Sequence, residues 1–187
     1  MSTHKWHYTN ESERRQWQNP EAILVDVGLR LGTIFVDVGC GDGFFALPAA
    51  RIVGPQGKVY GVDANDEAIA EIRRKAAAEG LTNIELTLGT AEETLRCQAC
   101  ADIVFFGNAL HDFQDQSKVL QNARRMLKAA GKLINLDWKK EDVPLGPPLA
   151  IRFNEAKASQ LIEMAGFKIN KVEKSGQYHY LITASIE

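Results

Sequence analysis

Three glycines and one aspartate are the residues of this chain best placed to bind a small ligand. Gly39, Gly41 and Gly43 alternate after an apolar run that predicts a buried strand, and a segment with helical periodicity follows them. Glycine lets the backbone turn sharply and approach a ligand closely, and the helix start offers unpaired N–H groups. A second predicted strand, 58–63, ends in Asp63, whose carboxylate can accept hydrogen bonds from both hydroxyls of a ribose. The pattern predicts an adenosine-type ligand across the ends of two adjacent parallel strands.

The glycine spacing argues against a nicotinamide dinucleotide as that ligand. The dinucleotide motif has glycines at its first, third and sixth positions, so that the pyrophosphate rests on the helix start. Here the third glycine stands at the fifth position. Phe44 occupies the sixth, where its ring would crowd the contact between helix and strand. An NAD(P)-dependent oxidoreductase is therefore the less favoured alternative.

An acidic residue two positions before the first glycine completes a pattern that resembles a known enzyme family. The segment Asp37-x-Gly39-x-Gly41-x-Gly43 resembles motif I of the class I S-adenosylmethionine-dependent methyltransferases, and Gly61-Val62-Asp63 resembles their motif II. Further resemblances follow in the family's order, so that the likeness covers about residues 18 to 185; they lie at 90–92, 102–112, 131–138 and 165–167. The most similar branch is that of the small, ubiquinone-biosynthesis-like methyltransferases, a grouping too broad to identify the acceptor.

The resemblance implies a fold and a reaction. The fold is a single Rossmann-like α/β domain over 1–187, with a seven-stranded, mostly parallel sheet, one antiparallel terminal strand and helices on both faces. Its N-terminal helices, within 1–30, would cover the acceptor side of a cofactor-binding core over 31–187. The reaction is in-line transfer of the methyl group of S-adenosyl-L-methionine to a small-molecule acceptor. A non-catalytic S-adenosylmethionine-binding protein is the alternative from another class.

The resemblance also implies roles for residues at the strand ends. Asp63 would bind the ribose, with a helix N-cap as its alternative role, and Asp37 would organise the amino-acid end of the cofactor or merely hold the loop. Thr90 stands where family members often carry an aspartate. Glu92 would therefore contact the adenine amino group, or serve as an acid in the first turn of a helix. The other predicted cofactor-binding residues lie in the glycine loop, beside the adenine and after the fourth strand: Gly39, Cys40, Gly41, Gly43, Ala64, Ala91 and Asn108.

His111 is the candidate catalytic residue. It lies three residues after Asn108, where the methyl group points in the family, and a neutral imidazole can accept a proton from an incoming nucleophile. The alternative is a histidine in the first turn of a helix that packs or hydrogen-bonds locally. Arg152 and the loop 139–153 are candidates for the acceptor side, although the charged run 139–142 is expected to be a solvated loop. Aromatic residues that could roof an acceptor pocket are Trp6, Trp17, Phe113, Trp138, Tyr178 and Tyr180.

Composition limits the partners of this 187-residue chain. Basic and acidic residues are interspersed and the formal net charge is −2, so nucleic acid is not an expected partner. No apolar segment is long enough to span a membrane, and the polar start lacks the apolar core of a signal peptide. We therefore expect a cytoplasmic protein with a small-molecule acceptor as its partner. A homodimer is an open alternative.

The cysteines do not predict a metal centre. Their odd number, three, argues against a secreted disulfide framework. Cys97 and Cys100 have the spacing of a metal or redox pair, but zinc needs four ligands and the sequence has no second such pair. We expect no metal and a structural or incidental role for these two residues.

Alternating periodicities predict a parallel sheet between helices. Strands are predicted at 33–38, 58–63, 83–88, 101–107, 131–137, 167–174 and 177–186, and helices at 11–18, 20–28, 43–53, 65–79, 115–128 and 154–165. Pro48 falls inside the helix 43–53, where its missing N–H is harmless only in the first turns. We therefore expect a short or kinked start of this helix.

Overall fold

The computed structural model describes residues 11–143 and 145–186, and seven strands lie within these ranges. They are β1 (Ile34–Val38), β2 (Lys58–Asp63), β3 (Ile84–Leu88), β4 (Ala101–Gly107), β5 (Leu127–Trp138), β6 (Phe167–Ser175) and β7 (His179–Ile186). They form one sheet in the order β3-β2-β1-β4-β5-β7-β6. β7 runs antiparallel to β5 and β6, and the neighbours from β3 to β5 pair in parallel. The predicted sheet, mostly parallel with one antiparallel terminal strand, is confirmed.

The helices of the described residues begin at polar caps more often than not. They are α1 (Glu11–Trp17), α2 (Pro20–Asp26), α3 (Ala46–Val53), α4 (Asp66–Ala78), α5 (Gln116–Met126) and α6 (Glu155–Met164). The side chains of Asn19, Asn65, Asp115 and Asn154 accept N–H hydrogen bonds from the first turns of α2, α4, α5 and α6. Because Asn65 caps α4, the Asp63 carboxylate does not serve as that cap.

Local sequence sets the start of α3, whereas strand pairing sets the end of α5. α3 begins at Ala46 rather than near residue 43, so Pro48 lies in the first turn, where no intrahelical N–H bond is lost. The expected short start is confirmed. α5 ends at Met126, and β5 begins four residues earlier than predicted, with Leu127 paired to Ala101. The pairing of Leu127 with β4 overrides the helical propensity of the residues that follow it.

The apolar side chains form two clusters, one on each face of the sheet. Phe35 of β1 and Phe105 of β4 belong to the first cluster, with α3 and α4, whereas their neighbours Val36 and Val104 belong to the second, with α5 and α6. This alternation follows from the two-residue period of a strand. The helices close both faces, so the carboxyl ends of β1, β2, β4 and β5 carry the loops that are available to bind a ligand.

Among the described residues, no helix has both the length and the apolar character that crossing a lipid bilayer requires.

Candidate active site

The glycine loop follows β1 and depends on glycine for its backbone. Gly39, Gly41 and Gly43 have φ angles of +77°, +53° and +90°, in the region that residues with a side chain rarely adopt. A Cβ on Gly39 would lie 2.8 Å from the Cβ of Ala109, in the loop after β4. The N–H of Gly39 also donates to the carbonyl of Val62, at 2.8 Å. The loop is therefore fixed between the ends of two neighbouring strands.

Asp63, at the end of β2, accepts a hydrogen bond from the backbone of this loop. Its Oδ2 accepts a hydrogen bond from the Gly41 N–H at 2.8 Å, and its Oδ1 accepts one from the Asn65 N–H at 2.9 Å. The side chain is half-buried. Asp63, which the sequence predicts to bind the ribose, therefore lies within hydrogen-bond distance of the predicted glycine loop.

Asp37 is a buried carboxyl group with one oxygen unused. It is 2% exposed, and its Oδ2 has no hydrogen-bond partner among the described residues. Burial raises the pKa of Asp37 to about 8, the charge of Asp63 adds to the increase, and Arg14 opposes it. A ligand that places a positive charge beside Asp37 would stabilise the ionised form of this buried carboxyl group.

Asn108 presents a second unused polar atom beside the loop. Its backbone has a φ of +61°, and its N–H donates to the Leu136 carbonyl at 2.7 Å. The Nδ2 group donates to Oε1 of Gln18 at 3.4 Å, whereas Oδ1 is buried and has no partner among the described residues. Asn108 therefore joins the end of β4 to the N-terminal part of the chain.

Helix α1 lies over the glycine loop through residues that sequence reasoning missed. The guanidinium carbon of Arg14 lies 3.7 Å from the centroid of the Phe44 ring, and Nε of Arg14 donates to Oε1 of Gln18 at 2.9 Å. Both side chains are buried. The available signal was their spacing, since residues four apart share one face of a helix, and Trp17 lies on the same face.

The other residues predicted to contact the adenine lie around the glycine loop and differ in their exposure and hydrogen bonds. Ala64 is exposed directly after Asp63, whereas Ala91 is buried and its carbonyl accepts a hydrogen bond from Nδ2 of Asn122 at 3.1 Å. Oε1 of Glu92 accepts from the N–H groups of residues 114 and 115, at 3.0 and 3.3 Å. Residues 91–93 form a turn, so the first-turn helix role considered for Glu92 is wrong. Its adenine role stays a prediction.

His111 lies on a single-turn 3-10 helix, Leu110–Asp112, after β4, in the helical position that its alternative role supposed. Its Nδ1 lies 2.7 Å from Oδ1 of Asp137, and its Nε2 lies 3.5 Å from Oδ1 of Asp112. Burial and the charge of Arg152 act to lower the pKa of His111. The hydrogen bond and charge of Asp137, helped by Asp112, outweigh them and raise this pKa above its ordinary 6.5. The structure thus gives the imidazole a specific partner, which the sequence did not predict.

An aromatic cluster formed by Trp17, Trp138, Tyr178 and His179 lies between α1 and the ends of β5 and β7. The Trp17 ring stacks on His179 with centroids 5.7 Å apart and lies 5.4 Å from Trp138. The Tyr178 ring meets Trp17 edge-on at 6.0 Å. His179 was missed from the sequence, although an antiparallel return strand opposite β5 places it directly beside Trp138.

The other aromatic candidates lie outside this cluster. Tyr180 is fully buried in the second core cluster, and Trp138 is also fully buried, so neither ring forms an outer roof. Phe113 packs on Phe106 with centroids 5.9 Å apart, and its Cζ lies 3.5 Å from the Cβ position of Gly39, so this predicted ring does reach the glycine loop. Trp6 lies outside the described residues.

Two basic residues after β5 are buried rather than solvated. Lys139 donates through Nζ to the Gln177 carbonyl at 2.7 Å, so the prediction of a solvated loop is wrong for this residue. Arg152 donates to four backbone carbonyls of the loop, those of Lys139, Glu141, Leu145 and Pro147. Backbone carbonyls thus compensate the burial of these cations.

The cysteines take structural positions. The Cys40 side chain is buried in the first core cluster, where burial raises the pKa of its thiol, so only its backbone belongs to the ligand loop. Cys97 and Cys100 form a disulfide before β4, a local pairing that the cysteine count did not predict. Among the described residues, no group of three or more His, Cys, Asp or Glu side chains could hold a metal ion.

A parallel sheet with a glycine loop after β1 and an acid at the end of β2 defines the Rossmann-like class of nucleoside-binding proteins. Within that class, residues 29–183 match the family model described as methyltransferase domain, and the chain belongs to this family. The resemblance to the methyltransferase family drawn from the sequence is thereby confirmed.

Individual relatives agree with this assignment. A solved S-adenosylmethionine-dependent methyltransferase from Aquifex aeolicus superposes with a TM-score of 0.88 at 28% identity, covering 95% of this chain and 99% of that one. Demethylmenaquinone methyltransferases from Shouchella clausii and Staphylococcus aureus are 32% and 28% identical over 133 residues. These residues are 71% of this chain and 56% and 54% of the relatives. The aligned part of the chain thus spans little more than half the length of the curated relatives.

Proposed function

We propose that this chain transfers the methyl group of S-adenosylmethionine to a small-molecule acceptor by in-line displacement. The observation that carries the proposal is the pair of acids at the ends of β1 and β2. Asp63 contacts the glycine loop, and Asp37 lies buried behind it with an unused oxygen. The first acid suits a ribose diol and the second suits the ammonium group of the methionine portion.

The rest of the loop complements these two acids. Gly39 and Gly43 let the backbone pass close to the cofactor, and Asn108 contributes an unpaired amide oxygen from the end of β4. Ala64, Ala91 and Glu92 would then border the adenine. The sulfonium of the bound cofactor is already activated, so the main task of the protein is to align donor and acceptor, which can contribute about 7–11 kcal/mol.

On the acceptor side, we propose that the N-terminal helices form the cover. Trp17 of α1 is partly exposed and packs against the buried rings of Trp138 and His179, and the next residue, Gln18, accepts a hydrogen bond from Asn108. Flat aromatic surfaces favour a planar, largely apolar acceptor. The curated relatives are named for demethylmenaquinone, which has this character, so its reduced form is the first compound to test.

The test of this function measures binding and turnover separately. We expect calorimetry to show S-adenosylmethionine binding and no comparable binding of NAD, and mass spectrometry to detect methylated product from a panel that includes reduced demethylmenaquinone, catechols and small amines. Tighter binding of NAD than of S-adenosylmethionine would favour the oxidoreductase alternative. Cofactor binding without turnover across the panel would favour the non-catalytic binding protein.

Replacing Asp63 with alanine should weaken S-adenosylmethionine binding by more than about tenfold, because two charge-assisted hydrogen bonds to the ribose are lost. The fold should persist, since Asn65 rather than Asp63 caps α4. Calorimetry gives the dissociation constant and circular dichroism gives the melting temperature. Asp66→Ala, an exposed change in the first turn of the same helix, is the matched control. An unchanged dissociation constant in Asp63→Ala would exclude the ribose role.

A further inference from the structure

The buried pair formed by His111 and Asp137 has a fixed proton arrangement. Both side chains are 1% exposed, and Nδ1 of His111 lies 2.7 Å from Oδ1 of Asp137. An ionised carboxylate only accepts hydrogen bonds, so the hydrogen at this contact belongs to Nδ1. The same Oδ1 also accepts the Trp138 N–H at 2.8 Å, which holds the carboxylate in place near the end of β5. In the neutral imidazole, Nε2 is therefore left as the proton acceptor.

The other side of the ring faces a route to solvent. Nε2 lies 3.5 Å from Oδ1 of Asp112, a side chain that is 46% exposed. A proton taken up at Nε2 would thus be attracted by a carboxylate that water can reach. His111 joins the cofactor site through its loop, because the Cβ of Ala109, two residues before it, lies 2.8 Å from the Cβ position of Gly39 in the glycine loop.

From this geometry we infer that Asp137 is the positioning residue of a proton relay, in which His111 is the base and Asp112 passes the proton to solvent. The inference rests on the proposed function and narrows its acceptor to compounds whose nucleophilic atom carries a proton, such as phenols and enols. A tertiary amine or a thioether has no proton to lose and would gain nothing from the relay.

The step balances without any further reactant. The acceptor X–H gives its proton to Nε2 of His111, and the X electron pair forms the bond to the methyl carbon. The carbon–sulfur bond breaks, and its electron pair returns to sulfur, which changes from a sulfonium to a thioether. The imidazolium then releases its Nε2 proton to Asp112 and to solvent, while Nδ1 of His111 keeps its hydrogen and continues to donate it to Oδ1 of Asp137.

The charged and titratable neighbours of the pair agree with this assignment. Asp137 from β5 and Asp112 from the 3-10 helix favour the imidazolium, and Arg152, from the loop before α6, opposes it. Burial and the nearby Asp137 charge raise the pKa of Tyr180, so this phenol stays neutral and does not compete for the proton. The net effect is an imidazole more basic than a solvated one, as a base for a weak acid requires.

The first test needs no acceptor. In protein labelled with ¹⁵N-histidine, we expect His111 to carry its neutral-state hydrogen on Nδ1 and to titrate above 6.5. Asp137→Asn should move its titration midpoint below that of the wild type. Asp112→Asn, an exposed substitution that does not endanger folding, should lower the midpoint by a smaller amount. A hydrogen on Nε2, or midpoints unchanged in both variants, would overturn the inference.

The second test uses reduced demethylmenaquinone as the turnover probe. Asp137→Asn should lower kcat about 100-fold with KM changed less than about twofold, and should move the acidic limb of the pH profile to lower pH. Adding Asp137→Asn to His111→Gln should cost nothing more, since the carboxylate acts only through the imidazole. Cofactor affinity should stay unchanged in each variant, which separates this inference from the proposed cofactor site. An unchanged pH profile, or losses that add in the double variant, would contradict it.

Discussion

Substituting Asp37 with asparagine is expected to weaken S-adenosylmethionine binding at least about 100-fold, because the cofactor's ammonium group loses a buried carboxylate partner. The same change should stabilise the ligand-free protein. Asp37 is buried with one oxygen unpartnered among the described residues, so its ionisation costs folding free energy that a neutral amide does not. Affinity and stability should therefore move in opposite directions.

The sign of the stability effect follows from the pKa of Asp37. Its value is about 8 in the folded chain, against 3.8 for an ordinary aspartate. Between these limits the folded state holds a proton that the unfolded state has released, so this group's contribution to stability falls as pH rises from about 4 to about 8. Asp37→Asn removes that decline. At pH 8 we expect a gain of at least about 2 kcal/mol, below the upper limit of roughly 5–6 kcal/mol that the pKa difference sets, and a Tm higher by at least roughly 4 °C for a domain of this size.

Calorimetry across pH supplies a second readout for the same residue. Binding of a cation to Asp37 must displace its proton, so the wild-type affinity should rise by up to roughly tenfold per pH unit between pH 6 and 7.5. The affinity of Asp37→Asn should be flat over that range. Asp26→Asn, an exposed change at the end of α2, is the control for both measurements. A lower Tm together with an unchanged dissociation constant would mean that Asp37 only holds the loop.

The parts of this molecule that the sequence predicts are those set by neighbours along the chain. The boundaries of β2 and β4 were predicted to the residue, because an apolar run followed by glycine or aspartate defines a buried strand and its end. The start of β5 was missed, since Leu127 belongs to that strand only through its pairing with Ala101 of β4. Partner strands decide such boundaries, and periodicity does not encode them.

The same distinction holds for the site. Asp63 and the three glycines were found because their spacing carries the signal, whereas Arg14, Gln18 and Asp137 reach the site from distant elements. The partnership of His111 with Asp137 joins residues 26 positions apart, through a 3-10 turn and a strand end. Nothing in the local pattern around either residue marks that contact, since it arises from the packing of the β4 loop against β5.

The second large effect is expected from Gly39→Ala, compared with Gly32→Ala. Both glycines have similar backbones, with φ angles of +77° and +80°. A Cβ at residue 32 meets no atom within 4 Å, whereas one at residue 39 would lie 2.8 Å from the Cβ of Ala109. Each change should cost about 1–2 kcal/mol for the left-handed backbone alone. Gly39→Ala should cost about 1–3 kcal/mol more, because neither Cβ can rotate out of the overlap.

The functional consequence separates the two variants more sharply than their stability. The overlap at residue 39 can be relieved only by moving the glycine loop or the segment that begins at Asn108, and both contact the proposed cofactor. Gly39→Ala should therefore weaken S-adenosylmethionine binding at least about 100-fold, since a shift of about 1 Å disrupts several aligned contacts together. Gly32→Ala should leave the affinity within about twofold. Residue 32 lies in the turn before β1, at the amino end of this strand, whereas the glycine loop follows its carboxyl end. Calorimetry on the two variants measures this difference, and equal affinities would place the cofactor away from the turn after β1.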